Sequence, residues 1–137
     1  IQPARIESIY DKVVDEFESI ADYLERIVNY KARFQSEPTT GPSTKDLDAF
    51  MDKVWDFFQL SAKGVNEDAV IDYDEVFKKS EILRVEADNM REKHLERISQ
   101  GVYEPLTTLT YSDMVVAMRK IRAHALNVAE AYSTFKK

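Results

Sequence analysis

The sequence contains no cysteine, and its 137 residues include only three glycines and four prolines. Without cysteine the chain can build neither a disulfide framework nor a thiolate metal site, which is compatible with a reducing compartment. Glycine and proline are the residues that most disfavour a helix interior, so their scarcity favours helix along almost the whole chain. We therefore expect an all-α protein.

Long apolar runs and large basic clusters are also missing. The uninterrupted apolar runs reach only a few residues, far below the roughly 20 that a helix needs to cross a bilayer, so we expect no direct membrane insertion of these residues. The formal net charge is -6, and basic side chains form only short pairs such as Lys78–Lys79. Such a charge repels phosphate backbones, which makes nucleic acid an unexpected partner.

The size and composition suit one domain, residues 1–137. The chain is 44% hydrophobic and 32% charged, which is enough for one moderate core. It begins with Ile1 rather than methionine and shows no signal-peptide pattern, so we expect it to be part of a longer protein.

Apolar residues recur at helical spacing in four segments, which predict helices over residues 3–35, 44–63, 67–100 and 111–136. Gly64 and Gly101 are expected to end the second and third helices, and residues 36–43 and 102–110 to form loops, the latter leading to an N-cap at Thr110 or Ser112. Four long helices with short connections predict an antiparallel up-down bundle. The stripe of the third helix is predicted to contain Val70, Phe77, Leu83, Ala87, Met90, Leu95 and Ile98.

The stretch FESIADYLERI, residues 17–27, places Glu18 and Asp22 four residues apart and hence on one side of a helix. Asp88 and Glu92 repeat this spacing in the third helix. Carboxylate oxygens suit hard cations such as Mg²⁺, Ca²⁺, Mn²⁺ or iron, so these four residues are the candidate metal ligands if the two helices are neighbours. The alternative is a solvated acidic face on which Arg26 neutralises Asp22.

Enzymatic apparatus is not visible in the sequence. A ferritin-like di-iron site needs Glu-x-x-His pairs, but the residues three before His94 and His124 are Arg91 and Ile121. Both histidines border apolar stripes and are predicted to be hydrogen-bonded packing residues. There is neither a glycine-rich phosphate loop nor a Gly-x-Ser-x-Gly motif, so we expect no catalytic activity. Trp55 lies beside the stripe of its helix and is predicted to cover an edge of the bundle, with contact to a partner as the alternative.

Several stretches resemble PhoU-like domains. FESIADYLERI is similar to their Glu-Arg-Ile-Gly-Asp segment, with Glu18 and Asp22 on the Glu-x-x-x-Asp metal motif. REKHLERISQG, a loop and YSDMVVAMRKI together resemble the PhoU-like region at the C-terminal end of bacterial sodium/phosphate cotransporters. The segment MRKIRAHALNVAEAY looks like the closing helix of the family, with the matching residues Ile121, His124, Ala125, Asn127, Val128, Ala129 and Glu130.

This resemblance implies a PhoU-like, spectrin-like helical repeat that forms a fragment of a longer membrane transporter. It implies a cytosolic regulatory domain that modulates sodium-dependent phosphate uptake, lies at the cytoplasmic side of the inner membrane and has the transporter's membrane domain as its partner. A stand-alone PhoU-type regulator and a purely structural helical interaction module are the alternatives.

Two departures from the family pattern limit what the resemblance implies. Arg119 and Ala123 occupy the positions of the second metal motif, so any metal ion is expected at the first motif and is expected to bind weakly. PhoU-like domains carry two repeats of three helices, and this chain matches only the last four helices. We therefore expect an uncovered apolar strip along the first helix, which favours a homodimer or a swapped assembly.

Overall fold

The structure, a computed structural model, describes residues 3–36, 44–101 and 105–136. Within these ranges the chain forms four α-helices and no strand: α1 (Pro3–Ser36), α2 (Thr44–Glu67), α3 (Tyr73–Ser99) and α4 (Pro105–Lys136). Consecutive helices run antiparallel. Lys31 near the end of α1 pairs with Asp48 near the start of α2, Lys53 of α2 pairs with Glu86 of α3, and His94 near the end of α3 stacks on Tyr111 near the start of α4. The predicted all-α bundle is confirmed.

Three predicted helix ends are wrong. Gly64 does not end α2, which continues to Glu67. Gly64 lies inside the helix against the side chains of Tyr132 and Ile71, which leave no room for a Cβ atom. Residues 68–72 are not helical, and α3 starts only at Tyr73, where the Asp72 side chain accepts a hydrogen bond from the Glu75 backbone N–H. That bond satisfies one of the free donors of the first turn.

The fourth helix begins six residues earlier than predicted. It starts at Pro105, so Thr110 and Ser112 lie inside the helix and are not its N-cap. Proline is well tolerated at the first helical position, because its missing N–H would have no partner there and its φ is already helical. Gly101 has φ of 70° just after the end of α3, as expected of a terminating glycine. The predicted loop over residues 36–43 lies, apart from Ser36, outside the described residues.

Helix α4 is the centre of the bundle and packs against all three other helices. A helix that is apolar on most sides must be surrounded by other elements, and α4 fits this rule. Its alanines allow the neighbouring backbones to approach closely. The buried apolar residues of α4 are Tyr111, Met114, Val115, Ala117, Met118, Ile121, Ala125, Val128, Ala129, Ala131 and Tyr132.

Helices α1 and α3 lie on separate flanks of α4. Among the described residues, no Cα atom of α1 comes within 8 Å of a Cα atom of α3. Helix α2 touches α3 directly but reaches α1 only through side chains, such as the Phe17 and Phe58 rings, whose centres are 5.9 Å apart. The arrangement leaves the seam between α1 and α2 open.

Part of the predicted apolar pattern is exposed. On α3, Leu83 and Ala87 are buried as predicted, whereas Val70, Phe77 and Leu95 are exposed because Val70 precedes the helix and the other two point away from α4. The uncovered apolar strip predicted along the first helix is confirmed: its exposed members are Ile6, Tyr10, Val14 and Val28. None of the helices in the described ranges is both long and apolar enough to cross a membrane.

Candidate functional site

The two carboxylates predicted as a metal motif, Glu18 and Asp22, lie on the solvent side of α1. Both are exposed, and neither forms a hydrogen bond or an ion pair with a described residue. Arg26 does not neutralise Asp22 as the alternative prediction proposed. Its guanidinium carbon lies 4.9 Å from the ring centre of Tyr23, because the aromatic face attracts the cation.

The second predicted pair, Asp88 and Glu92, is on α3 and does not meet the first. The Asp88 carboxylate already forms ion pairs with Arg84 and Arg119, each with an N–O distance of 3.3 Å. Glu92 is exposed. Because α1 and α3 flank α4 on separate sides, Glu18, Asp22, Asp88 and Glu92 do not form one ligand set.

The described part of the chain brings together no group of three or more His, Asp or Glu side chains that could hold a metal ion. A cation at Glu18 and Asp22 alone stays a prediction, and two carboxylates supply at most about four of the roughly six to eight oxygen ligands of a calcium site. Calorimetric titration of Mn²⁺ or Mg²⁺ tests it. Equal heats from the wild type and from the variant Glu18→Gln with Asp22→Asn would show a solvated face.

The polar residues that the structure does bring together join α1 to α4. The Glu16 carboxylate accepts a hydrogen bond from Asn127 Nδ2 at 3.2 Å and lies 2.6 Å from His124 Nδ1. The Tyr23 ring stacks on the imidazole with ring centres 5.8 Å apart. The Glu16 side chain is only 16% exposed and that of His124 26% exposed. We call Glu16, Tyr23, His124 and Asn127 the α1–α4 polar cluster.

The geometry of this cluster orients the histidine. An ionised carboxylate can only accept, so Nδ1 of His124 donates to Glu16 and Nε2 is left as the second polar atom of the ring. The same carboxylate holds the Asn127 amide in place, so a single α1 side chain fixes two α4 side chains one turn apart. The prediction that His124 is a hydrogen-bonded packing residue is confirmed.

The packing part of the role predicted for His94 is confirmed, and Trp55 has the edge position predicted for it. His94 is fully buried and stacks on Tyr111 with ring centres 4.2 Å apart, which joins α3 to α4. Trp55 is half exposed at the edge of α2 and stacks on Phe58 with ring centres 5.2 Å apart. Trp55 therefore covers an edge of the bundle, as its position beside the stripe of α2 predicts.

A second polar cluster lies between α3 and α4 and contains a buried cation. Arg122 is only 8% exposed, and its Nη1 donates a 2.6 Å hydrogen bond to Ser80 Oγ. The Nε atom of Arg122 has no hydrogen-bond acceptor among the described residues. Burial lowers the pKa of the Arg122 guanidinium, and the nearby positive charge of Arg119 lowers it further. Burying a charge is costly, so this contact between α3 and α4 depends on the Ser80 hydroxyl.

The ion pair between Glu81 and Arg84, next to this cluster, should make the stability of the fold depend on pH. A hydrogen bond from Arg84 to Glu81 holds the pKa of Glu81 below its ordinary value of 4.5. A carboxyl whose pKa is lower in the folded chain stabilises the fold above its ordinary pKa, and this contribution is lost as the pH falls through the lowered value.

We therefore expect the free energy of unfolding to decrease as the pH is lowered below 4.5. The decrease should be less steep in Glu81→Gln. Urea unfolding between about pH 3 and pH 6 measures both slopes. Glu92→Gln, at an exposed glutamate of the same helix, should keep the wild-type slope. A wild-type slope in Glu81→Gln would contradict the assignment.

Another prediction compares two glutamates of α1. Replacing Glu16 with alanine removes the acceptor of both His124 and Asn127, so we expect the free energy of unfolding to fall by about 1–2 kcal/mol. Glu18→Ala, two residues away on the solvent side, should change it by less than about 0.5 kcal/mol. Chemical denaturation of both variants measures this difference, and equal effects would contradict the inward role of Glu16.

Sequence reasoning missed Glu16, Ser80 and Arg122, although a signal was present for the first. Glu16 lies three residues after Val13 and four before Ile20, so a helix places it on the buried stripe, where an acidic residue needs a partner. Arg122 is harder to detect, because only a helix buried on most sides makes that position interior.

Comparison with known proteins finds no matching family model, no matching curated protein and no matching solved structure.

Proposed function

We propose that this chain is a PhoU-like regulatory domain that modulates a sodium-dependent phosphate transporter from the cytoplasmic side of the inner membrane. Its partner would be the membrane domain of the same transporter, and its role would be to bind and regulate without a catalytic step. The transport itself would belong to the membrane domain.

One observation supports this proposal above all others. The residues of α4 that carry the resemblance act as one unit: Ile121, Ala125, Val128 and Ala129 are buried, while His124 and Asn127 bind Glu16 of α1. Packing alone would not require these two polar residues to meet the same carboxylate. The motif thus has a coherent task, which is to attach α1 to the central helix.

The open seam between α1 and α2 favours a second candidate, a purely structural helical module that mediates protein association. Such a module also binds a partner but has no connection with phosphate. A stand-alone PhoU-type regulator is a further alternative. The reading frame that contains these 137 codons separates the first proposal from both, because a transporter requires several encoded apolar stretches of about 20 residues.

Phosphate uptake provides the functional test. Sodium-dependent uptake of radioactive phosphate is measured in cells that produce the whole protein or a version without these residues. We expect both versions to transport phosphate but to differ in how uptake responds to external phosphate. The same response in both versions, or no sodium-dependent uptake by the whole protein, would overturn the proposal.

A further inference from the structure

The seam between α1 and α2 forms an open apolar groove. The two helices are bridged only by side chains, and two hollows of about 350 and 300 Å³ lie along the seam and share Phe17. The hollows are therefore parts of one continuous groove, which we call the α1–α2 groove. Its principal apolar residues are Ile6, Tyr10, Val14, Phe17, Leu24 and Trp55.

Several of these side chains are unusually exposed for large apolar residues. Tyr10 is 69% exposed, and Val14 and Trp55 are 41% and 43% exposed. A contiguous apolar surface of this kind, rimmed by polar residues, is typical of a site that binds another protein.

The rim on the α1 side is uniformly acidic. Carboxylates follow each other at spacings of three and four, which places them in one stripe next to the apolar stripe of the groove. All are exposed, and none forms an ion pair or hydrogen bond with a described residue. The members of this acidic stripe are Glu7, Asp11, Asp15, Glu18, Asp22 and Glu25.

We propose that the α1–α2 groove binds a basic amphipathic helix of a partner protein. The apolar face of such a helix would fill the groove, and its Lys or Arg side chains would lie against the acidic stripe. This inference depends on the geometry and charge of the seam and not on the proposed function in phosphate transport. It also gives Glu18 and Asp22 a role as part of the acidic stripe.

Charge argues against a second copy of the chain as the occupant. A dimer that buries this groove with antiparallel α1 helices would place the two identical acidic stripes opposite each other, and the whole chain carries a net charge of -6. Like charges placed opposite each other across an interface are costly. An anionic lipid surface would be repelled for the same reason.

A designed peptide tests the proposal. The probe is a fluorescein-labelled Leu/Lys peptide of about 18 residues, roughly 27 Å long as a helix, with leucine on one face and lysine on the other. Fluorescence anisotropy should show binding by the 137-residue chain that weakens as salt is raised. A Glu-for-Lys peptide should not bind, and a scrambled peptide of the same composition should bind at least about tenfold more weakly.

Protein variants locate the binding. Tyr10→Ser with Val14→Ser should raise Kd for the Leu/Lys peptide at least about tenfold, because it removes apolar contact area from the groove and a tyrosine, a residue type enriched among hot spots. Glu18→Lys with Asp22→Lys should also raise Kd. The matched control is Ile82→Ser with Val85→Ser, at exposed apolar positions of α3, and it should leave Kd unchanged.

Two results would overturn the proposal. Equal Kd values for the wild type and for the folded groove variant would place the peptide elsewhere. Light scattering that shows a wild-type dimer converted to a monomer by Tyr10→Ser with Val14→Ser would identify a second copy as the occupant. If circular dichroism shows the groove variant unfolded, the Glu18→Lys with Asp22→Lys variant decides, since both of its positions are exposed.

Discussion

Replacing Gly64 with valine should lower the free energy of unfolding by about 3 kcal/mol, close to the upper range for overpacked sites. A Cβ atom at Gly64 would lie 2.3 and 2.6 Å from two ring carbons of Tyr132 and 2.8 Å from the Ile71 side chain. The Tyr132 ring is buried, and its hydroxyl is hydrogen-bonded to Asp68, so it cannot move aside freely. Either α2 must move away from α4 or the ring must leave the core.

Urea unfolding compares Gly64→Val with Lys63→Val, its exposed neighbour in the same turn of α2. The control measures the effect of valine on helix propensity, which is less than about 1 kcal/mol. In the Tyr132→Ala background, valine at Gly64 should be much less costly, because the ring that makes the two closest contacts is gone. Similar stabilities for the two single valine variants would contradict the close approach.

Removing the Ser80 hydroxyl should have the next largest effect, a loss of about 2 kcal/mol in Ser80→Ala. Arg122 would keep its charge in the core but lose the acceptor of its 2.6 Å hydrogen bond. A buried charge that loses its partner is more destabilising than the removal of both groups. We therefore expect Arg122→Met to cost less than Ser80→Ala, and the double variant to resemble Arg122→Met.

Chemical denaturation of the three variants forms a complete double-mutant cycle. Ser8→Ala, at an exposed serine of α1, gives the background effect of the substitution and should stay within about 0.5 kcal/mol of the wild type. Additive effects of Ser80→Ala and Arg122→Met would show that the buried hydrogen bond does not couple α3 to α4.

The number and type of the helices could be predicted from the sequence, because helical periodicity is a local property and few glycines and prolines interrupt the chain. The helix ends depend on features that the local pattern does not report. Gly64 was expected to be a terminator, but its small size serves contact with Tyr132, which is distant in the sequence. Pro105 was expected in a loop, but proline is equally suited to the first helical turn.

The candidate site could be predicted only in part. The spacing of Glu18 and Asp22 places both on one side of a helix, but spacing alone cannot tell a shared metal site from a solvated face. Whether α1 and α3 are neighbours is a property of the tertiary structure, and the structure separates them. The role of His124 was predictable because it borders an apolar stripe. Its partner Glu16 requires knowledge of which face of α1 meets α4.

His124 and Asn127, the polar residues of α4 that carry the resemblance, hold α1 to the bundle through Glu16. A double-mutant cycle with Glu16→Ala and His124→Ala, followed by chemical denaturation, measures this contact most directly. We predict a coupling energy of about 1 kcal/mol or more, as expected for residues that share a hydrogen bond. Effects that add to within about 0.3 kcal/mol would contradict the claim.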